Sequence, residues 1–316
     1  MSGIAIVHPT NLLGKELIET IEGRARQWRE VRLLSTLEDE VGGLTDLAGA
    51  AALVSRYEPE SLHGISTVYF CGPVKANRPL YPDLPEGATG VVLSPDATPE
   101  DGVPVVAGVN TEAARPGQIV VSPHPAVVLL SHLLHPLREF RPESVVATVI
   151  QPASLHDKEG LDELFEQTRN IVAMVAPRPS PIFGTQLSFN VIPTATDAAP
   201  LSEMLQTVLG EDDALPASLQ VVQGGVFHSV SASLYVRFAG KGTSAQGIRK
   251  ALGASPYLEL ADRPKHLGPI EAAASDKVIT GTVRKDHLGG FWLWAVMDNL
   301  TRGGALNALE IVEAIQ

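Results

Sequence analysis

The chain has 316 residues, which at about 100–200 residues per domain predicts two domains. Its 24 Lys and Arg against 36 Asp and Glu leave a net charge of −12, and this acidity argues against sequence-independent binding to nucleic acid or to an anionic membrane. The single cysteine, Cys71, excludes an internal disulfide framework and a cysteine-rich metal site. The N-terminus lacks a secretory pattern, and no apolar run approaches the roughly 20 residues of a membrane span, so we expect a soluble cytoplasmic protein.

The first 121 residues alternate short apolar runs with helical patterns. After the first run, Leu13, Leu17 and Ile21 have the spacing of a helix face. Strands alternating with helices are typical of βαβ units, so this part predicts a doubly wound, Rossmann-like parallel sheet of the nucleotide-binding type. The polar stretch 98–104 predicts a surface loop. The strands are predicted at 4–7, 31–34, 67–70, 91–93 and 119–121.

The second half predicts an α+β domain. A strand at 145–150 precedes a helix that Asp157 would cap, with Leu161, Leu164, Phe165 and apolar residues up to Val175 on one stripe. Few helices separate the next segments, which predicts a largely antiparallel or mixed sheet. A helix at 305–315 closes the chain. The extended segments are predicted at 185–193, 219–238, 276–286 and 291–298.

Three stretches in this order resemble the aspartate-semialdehyde dehydrogenase family: KEGLDELFEQT at 158–168, FNVIP at 189–193 and DNLTRGGALNALEI at 298–311. The resemblance extends over nearly the whole chain. It implies a nucleotide-binding-type domain at 1–121, to which 299–316 returns, and a catalytic and dimerisation domain at 122–298. It also implies an NADP-dependent enzyme of amino-acid biosynthesis.

The catalytic positions depart from the family pattern. The family's nucleophilic cysteine begins a helix, where the helix N-terminus lowers the thiol pKa. Here the matching residue is Pro125, which offers neither a nucleophile nor a titratable proton. Cys71 follows a strand, where the family has a loop facing the cofactor, and we interpret it as a small residue at a buried strand end.

The other substrate positions are mixed. Gln151 matches the family's orienting glutamine and His228 its acid/base histidine. For both, the alternative is a structural role, which for His228 means a buried, hydrogen-bonded histidine. The arginine that would hold the substrate carboxylate aligns with Val221, and a second basic residue aligns near Pro99.

The cofactor positions are also altered. Of the three glycines in the family's turn after the first strand only Gly14 remains, and His8 and Pro9 stand among the replacements. Three carboxylates at 38–40 follow Ser35 and Thr36, where a 2′-phosphate would require a basic residue. A carboxylate could instead bind a ribose hydroxyl, which leaves weak NAD binding open. The residues that would contact a cofactor, if one binds, are Thr10, Asn11, Leu13, Gly14, Ser35 and Thr36.

Two functions follow from these positions. The first is a homologue that has lost the dehydrogenase chemistry, binds no cofactor and acts by association or ligand binding, similar to the degenerate Usg-type members of the family. The alternative is an active NADP- or NAD-dependent dehydrogenase of an aspartyl-phosphate/aspartate-semialdehyde pair. His124, His132 and His135 lack further ligands nearby, so no metal site is expected.

A homodimer is expected from the second domain, because its extended segments outnumber its helices and would leave one sheet face bare in a monomer. Family members pair through this sheet, so the resemblance points the same way. The alternating residues Val230, Ala232, Leu234 and Val236 are candidates for this contact or for the core beneath it.

Overall fold

A computed structural model describes residues 3–24, 28–176, 179–194, 198–210, 215–240 and 242–315. The chain forms two compact units, one made of residues 1–124 and 304–316 and the other of residues 125–303. Within the described ranges, no helix is both long and apolar enough to cross a membrane.

The first unit contains a seven-stranded parallel sheet in the order β5-β2-β1-β6-β7-β9-β8. The predicted Rossmann-like sheet is therefore confirmed. A small hairpin, β3–β4, lies outside this sheet. The elements are β1 (Gly3–Val7), α1 (Leu12–Glu22), β2 (Glu30–Ser35), β3 (Leu44–Leu47), β4 (Ala50–Leu53), β5 (Ser55–Arg56), β6 (Ile65–Phe70), α2 (Val74–Asn77), β7 (Thr89–Val92), β8 (Val103–Pro104) and β9 (Ile119–Val121).

The core of the first unit joins the two ends of the chain. All five residues of β1 are buried, as expected for a parallel strand covered on both faces. The final helix of the chain packs in the same apolar cluster as α1 and the sheet. Its Asn307 accepts a hydrogen bond from the backbone N–H of Ala107 and donates one to the hydroxyl of Ser122.

The prediction of a surface loop at 98–104 is wrong in two respects. Residues Pro99–Asp101 form a 3-10 turn, and Val103–Pro104 pairs with β9 as an edge strand. Asp101 is buried because it accepts hydrogen bonds from both Arg78 and the backbone N–H of Thr98. A carboxylate with such partners can leave solvent, which the polar sequence did not indicate.

The second unit contains a seven-stranded mixed sheet in the order β11-β12-β10-β13-β16-β15-β14, which confirms the predicted α+β architecture. The β10–β12 and β14–β15 pairs are parallel and the other pairs are antiparallel. Its elements, with the last helix of the chain, are α3 (Pro125–Leu134), β10 (Pro142–Gln151), α4 (Asp157–Val172), β11 (Val191–Pro193), α5 (Ala198–Leu209), β12 (Ala217–Gly224), β13 (Val230–Phe238), α6 (Ala245–Ala254), β14 (Leu258–Leu260), β15 (Val278–Lys285), β16 (Phe291–Met297) and α7 (Leu306–Ile315).

One face of the mixed sheet is the core of the second unit. The alternating residues Val230, Ala232, Leu234 and Val236 are fully buried within the single chain, so they belong to this core. On the other face, Val146 remains 52% exposed, and Tyr235 and Trp292 are half-buried.

Two expectations about segments of this unit are corrected. Only Val191–Pro193 of the segment 185–193 is a strand, because residues before it bond to α4 instead: the backbone N–H groups of Leu187 and Ser188 donate to the side chain of Gln167. Asp157 begins α4 with a φ of +56°, and the cap position belongs to His156, whose side chain makes no capping hydrogen bond.

The apolar stripe predicted on α4 divides into two parts. Leu161 and Leu164 pack in a small cluster with Leu187, whereas Phe165, Val172 and Val175 are exposed. An exposed apolar set therefore lies on α4 and the segments after it, comprising Phe165, Val172, Met174, Val175, Phe189 and Val191.

Candidate functional site

Gln151 ends β10 in the second unit, and its side chain is engaged by the neighbouring strand. Its Nε2 donates to Oε1 of Gln223 at 2.9 Å, and Nε2 of Gln223 donates back to the carbonyl of Gln151 at 3.0 Å. The parallel register of β10 and β12 places these two residues opposite each other. The orienting glutamine predicted from the sequence is thus held in one orientation by a second glutamine.

A histidine completes this polar cluster. Nε2 of His156 lies 3.1 Å from Oε1 of Gln223, which can only accept, so this nitrogen carries the proton. Sequence reasoning missed both Gln223 and His156. The available signal for Gln223 was a polar residue directly after two valines, in VVQGG.

His228 lies in the loop between β12 and β13 and is exposed. The alternative of a buried, hydrogen-bonded histidine is therefore wrong. In the described parts of the chain its imidazole makes no hydrogen bond. The loop is instead fixed by Asn299, whose Oδ1 accepts from the backbone N–H of Ser229 at 2.9 Å and whose Nδ2 donates to Ser154 at 3.0 Å. An exposed imidazole on a fixed loop is able to exchange protons with a ligand.

Pro125 is the first residue of α3 and is buried. Proline suits this position, since its fixed φ matches the helix and its missing N–H is not needed there. A Cβ placed on Gly303 would lie 3.0 Å from Cβ of Pro125, so the two backbones approach closely. At position 125 the chain therefore offers a packed ring and no nucleophilic atom.

Val221 and Pro99 stand where the family resemblance would place basic residues. Val221 is a buried strand residue paired with Val149, and Pro99 opens the 3-10 turn. The guanidinium of Arg78 is bound to Asp101 through two hydrogen bonds of 2.6 and 3.0 Å. Burial alone would raise the pKa of the Asp101 carboxyl, but the hydrogen bonds from Arg78 and Thr98 outweigh it and lower the pKa.

The turn between β1 and α1 is filled by its own side chains. His8 adopts a φ of +58° and is fully buried. Its Nδ1 lies 3.0 Å from Oγ of Ser35 and 3.4 Å from Oε2 of Glu40, and its Nε2 lies 3.5 Å from Oγ1 of Thr36. Of the predicted cofactor contacts, Ser35 and Thr36 therefore contact the imidazole.

The remaining predicted cofactor contacts are engaged as well. Thr10 donates to Glu40 at 2.5 Å, and Asn11 caps α1 by accepting from the backbone N–H of Gly14 at 2.7 Å. A Cβ on Gly14 would lie 2.7 Å from the backbone of Pro9, which explains why glycine remains at this position. Leu13 packs at the edge of the core of the first unit.

The acidic residues 38–40 do not act together. Glu38 is exposed and forms a bidentate ion pair with Arg56, whereas Glu40 is buried beside His8. Burial would raise the pKa of Glu40, but hydrogen bonds from His8, Ser35 and Thr10 outweigh it and lower the pKa. Glu40 is therefore a carboxylate at neutral pH.

Cys71 is buried at the end of β6, as predicted. Burial, reinforced by the charge of Glu40, raises the pKa of its thiol. Its carbonyl accepts a 2.6 Å hydrogen bond from the side chain of Asn11. A neutral buried thiol is a poor nucleophile, so this environment does not activate Cys71.

His132, in α3, packs against an aromatic ring, and His124 lies just before this helix. Within the described part of the chain, no three His, Cys, Asp or Glu residues are grouped to hold a metal ion. His132 is buried and stacks on Tyr257 with ring centroids 4.8 Å apart. Burial also lowers the pKa of His124, to about 4.

Comparisons with known proteins show the family to which the chain belongs. The protein-family model that describes the dimerisation domain of semialdehyde dehydrogenases matches residues 134–302. An aspartate-semialdehyde dehydrogenase of Bacillus subtilis is 24% identical, with 99% of this chain and 97% of the relative covered. A USG-1 protein homolog of Azotobacter vinelandii is 29% identical over the same shares of both chains. A probable aspartate-semialdehyde dehydrogenase structure from Pseudomonas aeruginosa superimposes with a TM-score of 0.88 at 23% identity, covering 99% of this chain and 97% of that one. The chain belongs to the aspartate-semialdehyde dehydrogenase family.

The dinucleotide that this resemblance implies does not fit the residues present. Open dinucleotide turns use glycines so that the phosphates can approach the backbone and the start of the first helix. Here His8 fills the turn, the side chain of Asn11 accepts the hydrogen bond of the Gly14 N–H, and the ionised Glu40 lies beside His8 and Thr10.

Proposed function

We propose that this protein has lost the dehydrogenase chemistry of its family and acts by association or by binding a small ligand. The single observation that carries the proposal is Pro125 at the start of α3. The covalent route needs a thiolate at this helix N-terminus, and proline provides no atom that could attack an aldehyde. Loss of a covalent nucleophile alone costs several orders of magnitude in rate.

Cys71 supports the same proposal. The only thiol of the chain is buried with a raised pKa, so it does not replace the missing nucleophile. Val221 adds a second argument, because an aliphatic side chain cannot hold a substrate carboxylate as arginine does. His228 and Gln151 are residual members of the site under this proposal.

The alternative, an active dehydrogenase, is favoured by one observation. His228 is exposed on a loop fixed by Asn299, and Gln151 is retained in a defined orientation. In an active dehydrogenase of this family, His228 would serve as the acid/base group and Gln151 would orient the substrate.

We also propose that the protein is a cytoplasmic homodimer, with the predicted domain 122–298 providing the contact and the predicted domain 1–121 with 299–316 retaining the nucleotide-binding-type fold. The exposed apolar set and the exposed Val146 support the dimer, since exposed apolar patches above a few hundred Å² are unusual in monomers.

An activity assay tests the loss of chemistry. Purified protein is mixed with aspartate semialdehyde, phosphate and NADP or NAD, and the absorbance of reduced cofactor is followed. We expect no turnover. Turnover of about 1–1000 per second that survives Cys71→Ser would show that the proposal is wrong, and turnover abolished by Cys71→Ser would identify Cys71 as a relocated nucleophile. Lys75→Ala, a surface change near Cys71 in the sequence, is the matched control.

A further inference from the structure

We propose that the first unit permanently closes its own dinucleotide crevice, with the imidazole of His8 and the side-chain amide of Asn11 taking the space and the hydrogen bonds that a nucleotide uses in an open crevice. This inference rests on the proposed function. The proposed function concerns the absent nucleophile at Pro125, and the inference adds that the chain does not bind the dinucleotide.

The position of His8 is the first argument. Dinucleotides bind at the carboxyl ends of parallel strands, against the turn that follows the first strand. His8 is the first residue after β1, and its ring contacts Ser35 at the end of β2. On the side of β6 it packs against Gly72, where an added Cβ would lie only 2.5 Å from Cδ2 of the ring. The imidazole therefore occupies the space between three adjacent strand ends.

The backbone of His8 is the second argument. Its φ of +58° lies in the left-handed region that favours glycine. Glycine would reach this conformation without strain and would leave the space open. The histidine is stabilised in this conformation by burial and by its contacts with Ser35, Thr36 and Glu40.

The start of α1 is the third argument. The unpaired N–H groups in the first turn of a helix are the usual donors to a phosphate. Oδ1 of Asn11 accepts from one of them, that of Gly14, and Nδ2 of Asn11 donates to the carbonyl of Cys71. This one side chain caps the helix and joins it to the end of β6.

Charge gives the fourth argument. The carboxylate of Glu40 accepts from Thr10 and lies 3.4 Å from Nδ1 of His8. A phosphate placed on this turn would meet that buried negative charge, and like charges in a poorly solvated site repel strongly.

The test measures nucleotide binding, so its failure is distinct from that of the activity assay. Calorimetric titrations with NADP and with NAD compare the wild type, H8G, E40Q and the triple variant H8G/N11G/E40Q. We expect millimolar or no binding by the wild type and by E40Q, which keeps the imidazole in place. H8G should bind at least about tenfold more tightly, and the triple variant more tightly still.

A48G is the matched control. Ala48 also has a positive φ, of +55°, but lies in the hairpin outside the sheet, so its change to glycine relieves the same backbone strain without opening the crevice. We expect A48G to bind as the wild type does. Sub-millimolar binding by the wild type, or a folded triple variant that binds no better than the wild type, would overturn the inference.

A second measurement applies even if the variants fail to fold. Crystals of the wild type grown with millimolar NADP should show His8 in contact with Ser35 and no nucleotide at the turn. Nucleotide density there, with the imidazole displaced, would refute the closure. The H8N variant gives an intermediate case, since asparagine tolerates positive φ and is smaller than histidine.

Discussion

His132 is a buried histidine whose protonation state is fixed by its surroundings. It packs on Tyr257, and burial, with the charges of Arg302 and His135, lowers the pKa of its imidazole from 6.5 to about 3. The neutral form is therefore favoured in the folded state. Its contribution to stability is fully present above pH 6.5 and is lost as the pH falls toward 3.

We expect His132→Phe to reduce the acid sensitivity of the protein. Phenylalanine keeps the stacking on Tyr257 and has no proton to gain. Between pH 6 and pH 4, the wild type should lose up to about 1.4 kcal/mol more unfolding free energy per pH unit than the variant. Urea unfolding at several pH values measures the difference. His287→Ala, at a side chain that is 84% exposed, should leave the slope unchanged.

The roles of some single residues could be predicted from the sequence, whereas the contacts and exposure of others could not. Pro125 and Cys71 could be interpreted from the sequence because their chemistry is decided by residue type and by the neighbouring helix or strand. The partner of Gln151 could not be predicted, because Gln223 comes within hydrogen-bonding distance only through the pairing of β10 with β12. The exposure of His228 likewise depends on the loop that Asn299 fixes.

At the scale of elements, two helices with side-chain caps allow a direct comparison. Asn11 caps α1 through the N–H of Gly14, and Ser244 caps α6 through the N–H of Gly247. Asn11 has a second function, since it also bonds to the carbonyl of Cys71. Ser244 therefore acts as a helix cap alone, whereas Asn11 combines a helix cap with a tertiary hydrogen bond.

We expect Asn11→Ala to destabilise the protein more than Ser244→Ala does. Loss of a cap costs about 0.5–2 kcal/mol, and loss of the second hydrogen bond adds about 0.5–1.5 kcal/mol. Denaturant unfolding of both variants measures the two free energies. Equal losses would show that the bond from Asn11 to Cys71 contributes nothing to stability.

Strands and helices with a clear apolar pattern were predictable, whereas segments held by side chains were not. The runs 4–7 and 119–121 are strands because their side chains are buried in a parallel sheet. The segment 185–190 has an extended pattern but bonds to Gln167 of α4 instead. The burial of the Asp101 carboxylate could not be predicted either, because it depends on the tertiary hydrogen bonds from Arg78.

For the whole molecule, the arrangement of apolar surface predicts association. We expect light scattering behind a sizing column to give twice the monomer mass of 33.5 kDa at micromolar concentration. Val172→Glu with Met174→Glu should shift the mass to that of the monomer, because charges would be buried in the contact. Ile270→Glu, which is 87% exposed outside the exposed apolar set, is the control and should leave the dimer intact. A wild-type mass of 33.5 kDa would contradict the dimer.

The position of α7 in the core of the first unit has a consequence for protein synthesis. Residues 125–303 must be translated before the ribosome reaches the helix that completes the core of residues 1–124. At about 5–20 residues per second, this interval lasts roughly ten to forty seconds. During that time the nascent chain lacks Leu309 and Val312, and Asn307 has not yet reached the N–H of Ala107. The first unit therefore starts to be synthesised before the second unit, but its core is completed after the second unit has been synthesised.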